Sequence, residues 1–364
     1  MTRLLITTDT VGGVWQYATD LAAALAPQGF EPILVTLGPR PSAAQKADLA
    51  PGVELVETDL PLDWLAETRH DVMAAGQALT RLAEMLRADI VQLNAPAFAA
   101  GPRFGCPVVA VAHSCVGTWW QAVKGGEIDA DLAWRAALTG AGLRAADRVV
   151  APSAAFSAML RHCYDLPDAP LVVRNGRRVR AAVARAQEDF AFTAGRLWDA
   201  GKNVAVLDRA AAMIPVPLKA AGPAAGPHGA YVSFDRVAPL GLLDDAALAQ
   251  ILAARPVFLS ASIYEPFGLA VLEAAQAGCA LILSDIPTFR ELWDGAARFV
   301  YPHDAAGFAR AIEDIVGDAA LRARLGEAAQ ARAADYAVER MAAEMATLYR
   351  ALVADAAAGE RAAA

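Results

Sequence analysis

The sequence predicts an α/β protein made of two doubly wound domains. Three observations carry this expectation. Short apolar runs alternate with stretches of helical period. The runs are continuously apolar rather than alternating, as in parallel strands covered on both faces. The alternation also starts afresh near Phe190, and 364 residues at 56% hydrophobic content suffice for two cores.

In the first block, residues 4–7 read as a buried strand, followed by a turn at Gly12-Gly13 and a helix through Leu25. Further strands are expected at 33–37, 90–93, 108–112, 148–151 and 171–173. The second block carries strand patterns at 190–194, 218–221, 257–260, 280–283 and 298–301, with a helix over 203–213. The segment 175–189, NGRRVRAAVARAQED, is rich in arginine and lacks a strand pattern. The boundary therefore falls there, giving domains 1–180 and 181–336. A last helix, 337–355, has Met341, Met345, Leu348, Tyr349 and Leu352 at helical spacing, and by pattern alone it fits either domain. The tail 356–364 is small and weakly charged, so fraying is expected.

The formal charge of −8, from 32 Lys and Arg against 40 Asp and Glu, disfavours a nucleic-acid partner. Cys106, Cys115, Cys163 and Cys279 form no C-x-x-C pair and no set with histidines, so neither a metal site nor a disulfide framework is expected. Reduced thiols, an N-terminal apolar run too short for a signal peptide and the lack of a spanning run of about 18 residues point to the cytoplasm. Peripheral contact with the inner membrane face stays open.

Four segments carry chemistry. In YEPFGLAVLE, a turn leads from a strand into a short helix. Pro266 suits a first helical turn, and Gly268 lets backbone approach a ligand. The amides of Phe267, Gly268 and Leu269 would then stand at an anion-binding helix start. Glu265 and Glu273, roughly 8–12 Å apart at helical rise, could accept hydroxyls from a sugar and from a ribose. In TAGRLWDAGKN, Arg196 and Lys202 follow a strand and can hold a diphosphate. In TDTVGGVWQY, Gly12 and Gly13 open another helix start. In VAVAHSCVGTWWQAVK, His113 ends a strand and is followed by aromatic residues. Tyr17, Asn94, Trp119, Trp120 and Lys124 are acceptor-side candidates; Trp119 and Trp120 fit a core equally well. Gly140, Gly142 and Ala145 match a loose dinucleotide fingerprint, but a helical pattern precedes them where that fingerprint needs a strand.

Together these segments resemble the retaining, nucleotide-sugar-dependent glycosyltransferases of family four, through E-x7-E at Glu265 and Glu273, GRL…K at Gly195 to Lys202, Gly12-Gly13, His113 and Asn175-Gly176. The resemblance covers nearly the whole chain. It implies a GT-B fold: two Rossmann-like domains facing across a cleft, the first on the acceptor side, the second binding the donor. It implies that the last helix crosses back to the N-terminal domain. It implies that Arg196 and Lys202 hold the donor diphosphate, Glu273 the ribose and Glu265 the transferred sugar, while Gly12-Gly13 meet the β-phosphate and His113 a hydroxyl.

The activity so implied is metal-independent, anomer-retaining transfer of a hexose from a UDP- or GDP-linked donor to a hydroxyl acceptor such as a glycan, a lipid-linked sugar or a small molecule, with no further cofactor. Alternatives keep the cleft: a nucleotide-sugar epimerase or hydrolase, a sugar phosphorylase or other GT-B enzyme, and a non-catalytic nucleotide-sugar binder.

Overall fold

A computed structural model of the chain describes residues 1–101 and 103–363. It falls into two compact units: Met1–Gln121, Gly125–Gly176 and Val338–Ala364 form the first, and Ala122–Lys124 with Arg177–Ala337 the second.

The first unit holds strands β1 (Thr2–Thr8), β2 (Phe30–Thr36), β3 (Glu54–Glu57), β4 (Ile90–Leu93), β5 (Val108–Val111), β6 (Arg148–Ala151) and β7 (Leu171–Val172). They form one parallel sheet in the order β3-β2-β1-β4-β5-β6-β7. Side chains along a strand point to opposite faces. Leu4 and Ile6 thus enter one core with Tyr17, Leu21 and Leu25 of the helix Gly13–Leu25. Leu5 enters the opposite core with Val72, Ala75 and Leu79 of the helix Arg69–Met85. Burial on both faces is why the strand reads as an unbroken apolar run.

The C-terminal helix Val338–Ala363 belongs to this unit. Met341, Met345, Tyr349 and Leu352 pack into the core that holds Leu4 and Ile6. Fully burying such side chains is worth roughly 1.5–3 kcal/mol each. The helix runs past residue 355 and takes in most of the segment expected to fray. Alanine has the best intrinsic helix propensity, and AAAGERAA continues the helix at little cost.

The second unit holds β8 (Ala191–Ala194), β9 (Leu218–Ala221), β10 (Ala238–Gly241), β11 (Val257–Ser260), β12 (Leu281–Ser284) and β13 (Arg298–Val300). They pair in parallel, in the order β10-β9-β8-β11-β12-β13. Phe192, Phe258, Leu281 and Leu283 fill one face; Ala191, Val257, Leu259 and Ile282 fill the other. Strand order reverses at β1 in the first sheet and at β8 in the second.

Two strands escaped the sequence pattern, and both lie at sheet edges. β3 reads ELVE with its outer residues exposed. β10 reads APLG and is exposed throughout, with a proline of the kind an edge strand tolerates. Gly140, Gly142 and Ala145 lie inside the helix Ala130–Ala145. A Cβ on Gly142 would sit 1.8 Å from the Pro96 carbonyl oxygen, so this glycine serves close packing of helix on backbone. No helix among the described residues is long and apolar enough to cross a membrane.

Candidate active site

Open α/β sheets bind ligands beyond the carboxyl ends of strands where the strand order reverses. In the second unit that point lies between β8 and β11. β8 runs into the loop 195–202, and β11 into the turn 261–268. The two segments are tied together. The Ile263 and Tyr264 amides donate to the Gly201 carbonyl at 2.9 and 3.4 Å. Asn203, at φ 53°, donates its side-chain amide to the Ala261 carbonyl at 3.1 Å and to that of Pro302 at 2.8 Å. Asparagine is one of the few residues that accept this left-handed conformation.

That stitching brings Lys202 Nζ to 2.5 Å from Glu265 Oε2, with the two side chains 21% and 13% exposed. Ser262 Oγ donates to the same carboxylate oxygen at 3.5 Å. Arg196 pairs through Nη2 with Asp199 Oδ2 at 3.0 Å and lies over the Trp198 ring at 5.7 Å from its centroid. Asp199 is buried and also accepts from the Gly201 amide at 2.9 Å, so it shapes the loop between the two cations. Gly222, at φ 129°, closes in from the neighbouring strand end; a Cβ there would stand 1.8 Å from the Gly195 carbonyl oxygen.

Gly268, at φ 94°, caps the helix Leu269–Gln276. Pro266 therefore precedes the helix instead of entering its first turn. The chain needs a left-handed residue to swing from the turn into the helix, and glycine supplies it two residues later. The Phe267 ring is buried, edge-on to Tyr336 at 5.6 Å between centroids. Any ligand contact from Phe267 is then through its backbone. The first-turn amides of this helix and its positive dipole end open beside Glu265.

Glu273 goes elsewhere. Its Oε1 accepts from Arg177 Nε at 2.6 Å, and Arg177 Nη2 reaches Asp245 Oδ2 at 2.8 Å. Arg180 joins the same Asp245 oxygen at 2.6 Å. Gln276 pins the Arg177 carbonyl at 2.8 Å. These side chains border a cavity of about 420 Å³ shared with Leu248 and Arg255. Arg177 and Asp245 are functional candidates that the sequence did not single out. Arg177 stands in an arginine-rich segment where nothing in the pattern separates it from its less buried neighbours Arg178 and Arg180.

In the first unit the reversal point lies between β1 and β4. After β1, the Val11 and Gly12 amides donate to Asp9 Oδ1 at 2.9 and 3.2 Å. Gly12 is extended at φ −154°, and Gly13 is the first residue of its helix. After β4, Asn94 is tied to β1 by its amide, 2.9 Å from Thr7 Oγ1. After β5, His113 Nε2 lies 3.0 Å from Asn94 Oδ1. Burial pushes the His113 pKa down to about 3, so its ring is neutral at ordinary pH. Tyr17 packs edge-on against that ring at 4.4 Å and is itself buried in the core. Trp120 is buried and donates Nε1–H to the Glu127 carbonyl at 3.0 Å. Trp119 lies 6.4 Å from it, half-buried, and Lys124 is exposed.

The second unit thus offers cations, a carboxylate and a helix start at one strand-order reversal, a constellation suited to a sugar linked to a diphosphate. Comparison with known proteins points the same way. Residues 11–177 match the family model Glycosyltransferase Family 4, and residues 235–332 match Glycosyl transferases group 1. The D-inositol 3-phosphate glycosyltransferase of Streptomyces scabiei is 27% identical over 404 residues, covering 96% of this chain and 88% of that one. The sucrose-phosphate synthase structure from Thermosynechococcus elongatus aligns with a TM-score of 0.81 at 23% identity, over 98% of this chain and 100% of that one. The Anabaena HepE structure in complex with UDP-glucose aligns with a TM-score of 0.73 at 19% identity, over 97% of this chain and 100% of that one. The chain belongs to the glycosyltransferases of the family-four type, with the GT-B fold.

Proposed function

We propose that this glycosyltransferase moves a hexose from a UDP- or GDP-linked donor to a hydroxyl acceptor, with retention at the anomeric carbon and without a metal ion. The observation that carries the reading is the Lys202–Glu265 contact at 2.5 Å, set where β8 and β11 diverge. A UDP-linked donor draws support from the HepE complex with UDP-glucose.

The chemistry follows from the charges. The bond between the anomeric carbon and the β-phosphate oxygen breaks, and negative charge grows on the departing diphosphate. Lysine has three N–H donors, so Lys202 can hold Glu265 and still reach phosphate oxygens. Arg196 and the start of the helix Leu269–Gln276 add further positive potential. The acceptor oxygen bonds to the anomeric carbon on the face the phosphate leaves, and its proton passes to a phosphate oxygen. Glu265, already engaged by Lys202, orients the sugar and offsets positive charge at its ring rather than forming a covalent bond. The first unit supplies the acceptor side.

The test is a screen of UDP- and GDP-hexoses against hydroxyl acceptors, with product stereochemistry read by NMR and a chelator present throughout. Retained configuration in a chelator-insensitive product supports the proposal. An inverted product, strict metal dependence, or donor isomerised without any acceptor defeats it.

A further inference from the structure

The geometry fixes the direction of a buried hydrogen-bond chain in the first unit. It begins at the Thr7 carbonyl in β1, which can only accept. Asn94 Nδ2 lies 2.6 Å from that oxygen, so this end of the amide is the NH₂ group. The other end, Oδ1, must then accept from both of its neighbours, Gln92 Nε2 at 2.9 Å and His113 Nε2 at 3.0 Å. Gln92, whose NH₂ end faces Asn94, turns Oε1 to the Tyr349 hydroxyl, which donates. One carbonyl therefore orients four side chains, from the C-terminal helix through β4 to the end of β5.

The chain ends on an imidazole whose Nε2 carries the proton. That ring is neutral, so its lone pair lies on Nδ1. The titratable group packed against it is Tyr17, whose own pKa burial raises, so it stays an uncharged phenol.

We propose that Asn94, aligned by Gln92 and Tyr349, is a positioning residue that holds His113 in the Nε2–H form, so that Nδ1 accepts a hydrogen bond from a hydroxyl of the bound sugar or acceptor. The partner of Nδ1 rests on the sugar-transfer reading; the tautomer does not. The arrangement selects for an O–H at that position. A fluorine or an ester oxygen there has no proton to give, and the neutral ring has none to offer at Nδ1.

The experiment is ¹⁵N NMR of the full-length protein, with His113→Gln identifying the His113 signals. A pyridine-type Nδ1 and a pyrrole-type Nε2, both unchanged between about pH 5 and 8, are expected. An Nδ1–H ring, or one that titrates in that range, overturns the proposal. Asn94→Leu removes the fixed acceptor, and both tautomers should appear, with transfer about tenfold slower, as for one lost hydrogen bond. A pure Nε2–H ring in that variant overturns the positioning role. Tyr349→Phe, in which only a hydroxyl is lost, keeps the test available if Asn94→Leu fails to fold. It should show a smaller admixture of the second tautomer, and none at all counts against the chain. A correct tautomer in a protein that transfers no sugar overturns the sugar-transfer reading and leaves the tautomer assignment standing.

Discussion

Arg177 and Glu273 form an ion pair at 2.6 Å in which the guanidinium side chain is 1% exposed and the carboxylate 16%. Such a pair is held less by its own attraction than by the cost of leaving one member alone. Arg177→Met takes the Nε–H contact from the Glu273 carboxylate and the Nη2 contact from Asp245. The expected loss is about 3–5 kcal/mol, read as a lower urea midpoint. Adding Glu273→Leu should recover part of it, because the half-buried carboxylate that lost its Arg177 contact goes too. An Arg177→Met protein as stable as the parent would falsify this account.

Gly222 and Gly142 face the same steric limit with different consequences. Each would place a Cβ 1.8 Å from a backbone oxygen, of Gly195 and of Pro96 respectively. Backbone yields poorly, so both alanine variants should lose about 1–3 kcal/mol or more. Gly222 lies against the loop that carries Arg196 and Lys202, so Gly222→Ala should also weaken donor binding at least about tenfold, roughly 1.4 kcal/mol. Gly142→Ala should leave donor affinity unchanged in the folded fraction. Thermal shift with UDP-glucose and GDP-mannose separates the two; equal donor affinity in both variants contradicts the placement of Gly222.

Lys202 and Glu265 touch, so their contributions to turnover should be coupled. Lys202→Met and Glu265→Gln are each expected to slow transfer about 100-fold or more, the scale of one lost charge-stabilising contact. The double variant should be far less impaired than the product of the two factors, because residues acting as a unit are non-additive. Fully multiplicative losses would mean that the pair does not act together.

Most of the fold was legible because both sheets are buried on both faces. β4, β6, β9 and β11 fall on the residues whose apolar runs marked them. What escaped lay at edges, where exposure removes the apolar signature, as in β3 and β10. At the site, Lys202 and Glu265 were legible because each follows a strand at a turn. Their contact was not, since it depends on β8 and β11 being neighbours although some 60 residues apart in sequence. Arg177 and Asp245 were hidden for a related reason. A buried arginine looks like a surface arginine until its partners are known. The Asn94–His113 contact likewise joins the ends of two different strands, a proximity no local pattern encodes.

His113 should leave a mark on the pH dependence of stability. An unfolded histidine titrates near about 6.5, while burial holds the folded ring well below that. Above the unfolded value both states are neutral, and the ring adds no pH dependence. As pH falls below it, the unfolded chain takes up a proton that the folded ring refuses. Stability then drops by at most about 1.4 kcal/mol per pH unit until the folded ring itself titrates. His113→Gln removes this proton uptake. Between about pH 7 and 5, urea midpoints of the parent should therefore fall more steeply than those of the variant. Parallel curves would show that the folded ring takes up its proton over the same range as the unfolded one, and a charged His113 could not offer Nδ1 as an acceptor.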